Sequence, residues 1–293
     1  MKILAKDGQV PKWLSGAFVV GAAGLLWWLE NRRPLRRKVE PKVSRNARNF
    51  AVGALAAASL QLVERPLIQS LTLLVESRRW GLLKRVRFPV WLEVTLAVVL
   101  MDYTLYVWHV LMHRVPFLWR FHVVHHADLD LDASTALRFH AGEIVIATGW
   151  RVCQVVLIGV SPLSLSVWQA FLMLSVLFHH SNVRLPIEVE RKLNPVFVTP
   201  RMHGIHHSIV AEERNANWSS GLTIWDRLHG TLRLNVPQDK VTIGVPDYRQ
   251  PEEVSLVAML KLPFREQPVT WTRSDDGKRI DLTSPPAITY LLP

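Results

Sequence analysis

Eight histidines fall into three tight groups: His109 and His113 as HxxxH, His122, His125 and His126 as HxxHH, and His203, His206 and His207 as a second HxxHH. On a helix, positions i, i+3 and i+4 share one face, so each group can aim two or three imidazoles at one point. Neutral imidazole is a good ligand for iron, zinc and copper, provided several rings converge. One ion takes about four to six ligands, so eight to ten imidazoles imply two ions. A two-metal cluster beside lipid points to redox chemistry on an unactivated C–H bond.

The elements that must carry these groups are strongly apolar. From Trp13 to Leu29 there are 17 residues without a charge, just enough to span a bilayer. Phe50 to Val75 is a second apolar region, interrupted by Glu64-Arg65-Pro66, and reads as one broken span or a short hairpin. Pro89 to Trp108 is a third, and it contains Glu93 and Asp102. A charged residue within a span normally faces the protein interior and marks function. Val152 to Phe178 gives 27 uncharged residues divided by Pro162, the pattern of a hairpin that returns to its starting side. Beyond His179 the chain is more polar and shows no further span.

Composition supports a membrane setting. The 293 residues are 49% hydrophobic with 12 Trp and a net charge of +11, and the mean hydropathy is +0.14. Trp favours the membrane–water interface. Lys and Arg sit in blocks beside apolar runs, which suits anionic headgroups and cytoplasmic loops better than nucleic acid. Eight of them lie between Arg32 and Arg48. A cytoplasmic site is the expected orientation. Cys153 is the one cysteine, so neither an all-cysteine zinc site nor an iron–sulfur cluster can be built by this chain alone. There is no GxGxxG or GxxxxGK[ST] motif, and the N-terminus does not read as a cleaved signal.

Further candidates surround the three groups. Asp102, Tyr106, His109 and His113 are spaced 4, 3 and 4, lining one helical stripe. Asp102 is placed to accept the second N–H of a ligating imidazole and fix its tautomer. His179 and His180 end the apolar hairpin, and His140 lies where it begins, so at least one of the three can complete a metal site. His229 has no partner at ligand spacing and reads as structural. Arg138, Asn217, Trp225, Asp226 and Arg227 stand beside the groups and are expected to order a cap around the metals.

The stretches DYTLYVWHVLMHRVPFLWRFHVVHHADLDLDASTALRFHAGE, FHHSNVRLP and VTPRMHGIHHSIVAEERNANWSSGLTIWDRLHGTLRL resemble the fatty acid hydroxylase/sterol desaturase superfamily. The resemblance covers roughly positions 45 to 235. It implies an all-α, multi-pass transmembrane bundle with a cytosolic, histidine-rich metal-binding cap. It also implies two iron ions (zinc in isolated protein), molecular oxygen and a lipid substrate that is hydroxylated or desaturated. The family ligands fall on His109, His113, His122, His125, His126, His203, His206 and His207. The HSN motif adds His180, and His140 takes the place of a nearby family histidine. His140, His179, Asp102 and Asn217 remain as metal or supporting residues. HAGE stands where an FHP-type motif is common, and Trp218 occupies a position where it narrows the pocket. Electrons must come from a separate protein, such as a cytochrome b5-like or ferredoxin-type donor, because no flavin, haem or iron–sulfur signature is present.

Three regions follow: 1–48, a transmembrane helix and basic loop; 49–235, the membrane domain with the metal site; and 236–293, a soluble tail or cap. A metal transporter or a metal-binding membrane protein without oxygenase activity is the competing class. Transporters tend to place ligands at mid-membrane and often show internal repeats, whereas these histidines lie at the edges of the apolar runs and no repeat is seen.

Overall fold

The computed structural model describes residues 12–267. Helices dominate, and the described residues contain no named strand, only isolated bridges such as Pro34 with Val183 and Ser208 with Ile243. The long helices are α1 (Lys12–Arg32), α2 (Lys42–Ser59), α3 (Arg65–Arg78), α4 (Val90–Arg114), α6 (Ala141–Ile158) and α7 (Pro162–His180). Between and after them lie α5 (Pro116–His126), α8 (Ile187–Leu193), α9 (Pro200–His206), α10 (Ala211–Arg214), α11 (Ile224–Leu228) and α12 (Leu256–Lys261).

Four helical stretches are long and apolar enough to cross a membrane: Lys42–Lys84, Val90–Arg114, Ala141–Ile158 and Pro162–His180. Large apolar side chains stand outward on them, including Leu62, Leu73, Trp91 and Leu157. In water that exposure would be unfavourable; against acyl chains it carries no penalty. α1 also forms as a 21-residue helix, packs on α7 through Leu26 and Leu177, and exposes Trp13, Trp27 and Trp28.

The second apolar region is not a hairpin. α2 and α3 join through a π-turn over Leu60–Glu64, with the flanking residues Ser59 and Arg65 in right-handed helical conformation. Pro66 lacks an N–H and crowds the preceding turn, and a π-turn widens the backbone to absorb that misfit. The Glu64 side chain is buried and faces Arg151 at 3.7 Å. The charged interruption is therefore internal to the bundle, which is why it does not break the rod.

The fourth apolar region is the expected hairpin, with its first helix beginning at Ala141, eleven residues before the uncharged run. Glu143 and Arg151 are tolerated within it because both are occupied by protein partners. The turn depends on Gly159, at φ 86°, and it meets Gly81, at φ 93°, so closely that a Cβ on Gly81 would overlap the Gly159 backbone. Ser161 caps α7 by accepting from the Ser164 N–H.

These crossings bring the C-termini of α4 and α7 and the N-termini of α2 and α6 to one end of the bundle. There the loop Asp128–Asp132 locks onto α2. Arg45 reaches Asp128 through two nitrogens at 2.8 and 2.9 Å, and Asp132 at 2.7 Å. Asn49 donates to Asp128 at 2.9 Å, and Asp130 accepts from the N–H groups of Val39 and Glu40. Below this layer Val52, Trp119, Val123, Val245, Met259 and Leu262 form an apolar cluster. The segment after residue 236 thus packs beneath α5; residues 268–293 of the expected tail lie outside the described residues.

Candidate metal centre

Ten of the twelve histidines gather in one buried body, and eight resolve into two groups of four. His109, His113, His126 and His206 form the first; His125, His180, His203 and His207 form the second. Within each group the candidate donor atoms lie within 4.8 Å of one another. All eight rings are at most 5% exposed. The two groups touch through His126 and His207, whose rings stack at 4.3 Å and 14°.

Each group is assembled from different elements. The last two turns of α4 supply His109 and His113, and the end of α5 supplies His126 to the first group and His125 to the second. α9 and the residue after it supply His206 to the first group and His203 and His207 to the second. His180 is the last residue of α7. α9 starts well because Thr199 caps it and Pro200 occupies its first turn. Gly204 lets the Arg36 guanidinium lie where a side chain would stand, and Arg36 donates to the Pro200 carbonyl at 2.6 Å.

Hydrogen bonds fix the tautomers. A carbonyl can only accept, so an imidazole nitrogen bonded to one must carry the proton. His109 Nδ1 meets the Trp218 carbonyl at 2.7 Å, His206 Nδ1 the Ala216 carbonyl at 2.9 Å, and His180 Nδ1 the Val176 carbonyl at 2.8 Å. Each Nε2 is left with its lone pair turned to its group. His206 Nε2 has no hydrogen-bond partner although buried. In the second group His203 Nε2 lies 3.0 Å from His180 Nε2 and 3.1 Å from His207 Nε2, and His180 Nε2 lies 3.0 Å from His125 Nε2. His203 carries at most one proton there and cannot satisfy both neighbours. A cation satisfies all of them, so the donor set fits a metal ion in each group.

Electrostatics agree. Burial, reinforced by the neighbouring imidazoles, pushes His125, His126, His203, His206 and His207 well below the ordinary histidine range. These rings are neutral at physiological pH, the form that binds metal.

The remaining candidates fall into place around the two groups. His122 packs on His109 and His113 at 5.2 and 5.0 Å, and its Nδ1 lies 3.0 Å from Glu143 Oε1, leaving a buried Nε2 without a hydrogen-bond partner. It adjoins the first group without belonging to its four converging donors. The His179 ring lies 4.0 Å from that of His203, tilted by 47°, beside the second group. His140 is apart: its Nδ1 accepts from the Gly142 N–H at the start of α6, and its Nε2 lies 3.3 Å from the Leu260 carbonyl. His229 is exposed and stacks on Tyr103 and Tyr106.

Asp102 does not touch an imidazole. Its Oδ2 accepts from the Leu222 N–H at 2.9 Å and the Trp225 indole at 2.7 Å, so it ties the cap loop to α4. Asn217, at φ 55°, donates to the carbonyls of Met202 and Arg233 and accepts from the Arg233 N–H. Asp226 accepts from the Trp218 and Ser219 N–H groups. Arg138 is fully buried between the Val124 carbonyl and Asn49. These bonds hold Trp218 over the first group, its ring 4.6 Å from His113 and 5.3 Å from His206. Sequence reasoning missed Glu143; the only signal was a carboxylate three residues after His140 on the first turn of a span.

Trp108, Met112, Leu118, Phe121 and Ile146 form an apolar wall beside this carboxylate. Trp108 and Met112 directly precede His109 and His113 on α4.

The chain is similar in sequence to one family and to several known proteins. Residues 94–231, just under half of the chain, match the fatty acid hydroxylase family. The ornithine lipid hydroxylase OlsE of Rhizobium tropici is 34% identical over 161 residues, 54% of this chain and 47% of that protein. Human cholesterol 25-hydroxylase is 29% identical over 149 residues, 48% of this chain and 51% of that protein. Human alkylglycerol monooxygenase is 26% identical over 174 residues, 58% of this chain and 36% of that protein. The chain thus spans about half or less of the length of these relatives. No solved structure matches it.

Proposed function

We propose that this protein is an integral-membrane, O2-dependent lipid hydroxylase that holds two iron ions in its two histidine groups. The observation that carries the reading is the pair of buried four-histidine groups at the ends of apolar helices. The relatives named above are hydroxylases or a monooxygenase, which favours hydroxylation over desaturation.

His109, His113, His126 and His206 would hold one ion, with His122 as a further donor, and His125, His180, His203 and His207 the other. Bound iron supplies the reduction of O2 and the oxidation of an aliphatic C–H bond. The chain supplies the rest. The Trp218, Ala216 and Val176 carbonyls keep the Nδ1 protons of His109, His206 and His180 in place. Glu143 does the same for His122 and sets its ring plane. Trp218, Trp119 and Phe139 cover the rings and exclude water; Phe139 stacks on His125 at 4.5 Å. Trp108, Met112 and Ile146 give the first group an apolar flank.

The metal-bearing end takes the cytoplasmic side in this reading. The eight Lys and Arg of 32–48 lie at that end, against five between Arg78 and Arg87 at the other. Electrons arrive from a separate carrier such as a cytochrome b5-like or ferredoxin-type protein. The test is lipid mass spectrometry of cells with and without the protein, grown under 18O2. A lipid gaining one labelled oxygen only in the protein's presence is the expected result. Unchanged lipids together with metal flux across reconstituted vesicles would instead establish transport.

A further inference from the structure

Away from the histidines, a cleft of about 390 Å³ opens between the end of α1 and the loop after α7, lined by Arg32, Arg33, Pro34, Arg184, Leu185 and Pro186. Its rim is rigid. The Arg184 N–H donates to the Arg33 carbonyl at 2.7 Å, and the Leu35 N–H to the Asn182 carbonyl at 2.8 Å. The Asn182 side chain closes both edges, accepting from the Arg36 N–H and donating to the Arg36 carbonyl. The buried Glu30 carboxylate accepts from the N–H groups of Asn182 and Ala133. The backbone that brings Arg32, Arg33 and Arg184 to one opening is therefore fixed.

Arg32, Arg33 and Arg184 are exposed, and among the described residues no acidic group pairs with them. The nearby Glu188 is taken by Arg191 at 2.9 Å. Three cations of one sign repel, so their convergence is costly without an anion to share. The level in the membrane is also marked. Arg32 lies 5.7 Å from the centre of the Trp28 ring, and Trp27 and Trp28 stand exposed on the outer face of α1. Tryptophan at that position belongs at the depth of lipid headgroups.

We infer that this arginine cleft binds the phosphate of an anionic phospholipid. Guanidinium forks match phosphate oxygens bidentately, and Pro34, Leu185 and Pro186 in the lining suit the glycerol and first methylenes. A free phosphate ion offers the same oxygens, but the cleft opens beside α1, whose Phe18, Trp27 and Trp28 are exposed, so the lipid is the expected source. The site is separate from the metal groups, and its test needs neither iron nor turnover.

The full-length protein in detergent would be titrated with dioleoylphosphatidylglycerol and with dioleoylphosphatidylcholine, bound lipid being counted by native mass spectrometry. One tightly held phosphatidylglycerol per wild-type chain is expected. A cation at the membrane surface is worth about fivefold in affinity for an anionic lipid, so R33Q/R184Q should lose roughly 25-fold. R85Q/R87Q, which removes the same charge at the opposite end of the bundle, should lose nothing. Should R33Q/R184Q fail to fold, Arg184→Gln alone carries the test with a loss of about fivefold. Equal loss in both double variants, or none in either, would overturn the site. Inorganic phosphate bound as tightly as phosphatidylglycerol would overturn the lipid as its ligand.

Discussion

The two histidine groups make a stoichiometric prediction that can be tested without knowing the substrate. Consider His113→Ala and His203→Ala, one from each group. His113 Nε2 lies 3.1 Å from His126 Nε2, and His203 Nε2 lies within 3.1 Å of two ring nitrogens of its own group. Removing either ring leaves three imidazoles in one group and all four in the other. Even the loss of a supporting contact to a ligand costs 10–100-fold in metal affinity, so loss of a ligand should cost at least about 100-fold. At that deficit one ion should wash out while the other stays. Metal analysis after exhaustive dialysis should read about two ions in the wild type, about one in each single variant, and none in the double variant. His229→Ala should keep both, because His229 stacks on two tyrosines away from the groups. Complete loss of metal in either single variant would show one inseparable centre, and full retention in both would show that these rings are not ligands.

Other outcomes follow from single contacts. Glu143→Gln should keep an acceptor for His122 and lower metal affinity less than Glu143→Ala, for which a 10–100-fold loss in competition with a chelator is expected. Gly204→Ala should displace Arg36 from the Pro200 carbonyl and cost about 1–3 kcal/mol, read as a lower Tm. Asp128→Asn should destabilise the cap by about 3–5 kcal/mol because Arg45 stays buried without its bidentate partner. Its pH dependence has a definite sign. Burial alone would raise the Asp128 carboxyl, but Arg45, with Arg138 and Arg48, outweighs it and holds the group well below the usual carboxylate range. The contribution is therefore complete above about pH 4, the unfolded value, and is lost as pH falls through the lower folded value. Acid melts of wild type and Asp128→Asn should converge in that window; a constant gap at every pH would contradict the assignment.

The histidine spacing carried most of this site. HxxxH and HxxHH at helix ends state the ligand type, and the apolar runs beside them state the setting. What the pattern could not give is the partition into two groups, since that depends on how α4, α5, α7 and α9 meet. Nor could it give the role of Asp102: helical spacing put it on the face of His109 and His113, but two N–H donors arriving from residues 222 and 225 claimed its carboxylate first. The second apolar region shows the same limit. A proline after a buried charge reads as a break, whereas a π-turn and a partner at Arg151 let the helix continue.

The doubled histidine in each HxxHH has a geometric meaning. Adjacent residues on a helix point about 100° apart, so they cannot both face one ion, whereas residues three or four apart can. His125 faces the second group while His126 faces the first; His206 faces the first while His207 faces the second. Each HH pair thus stands between the two groups and supplies one ring to each. The stacked His126 and His207 rings are the contact where the pairs meet. The outlying member of each motif then thickens one side: His122 adjoins the first group, and His203 completes the second. A single HxxxH, as at His109 and His113, supplies two rings to one group only. Two helices, each bearing an HH step and meeting face to face, therefore divide the rings into two neighbouring groups of four rather than one enlarged cluster, which is the arrangement the proposed two-metal centre needs.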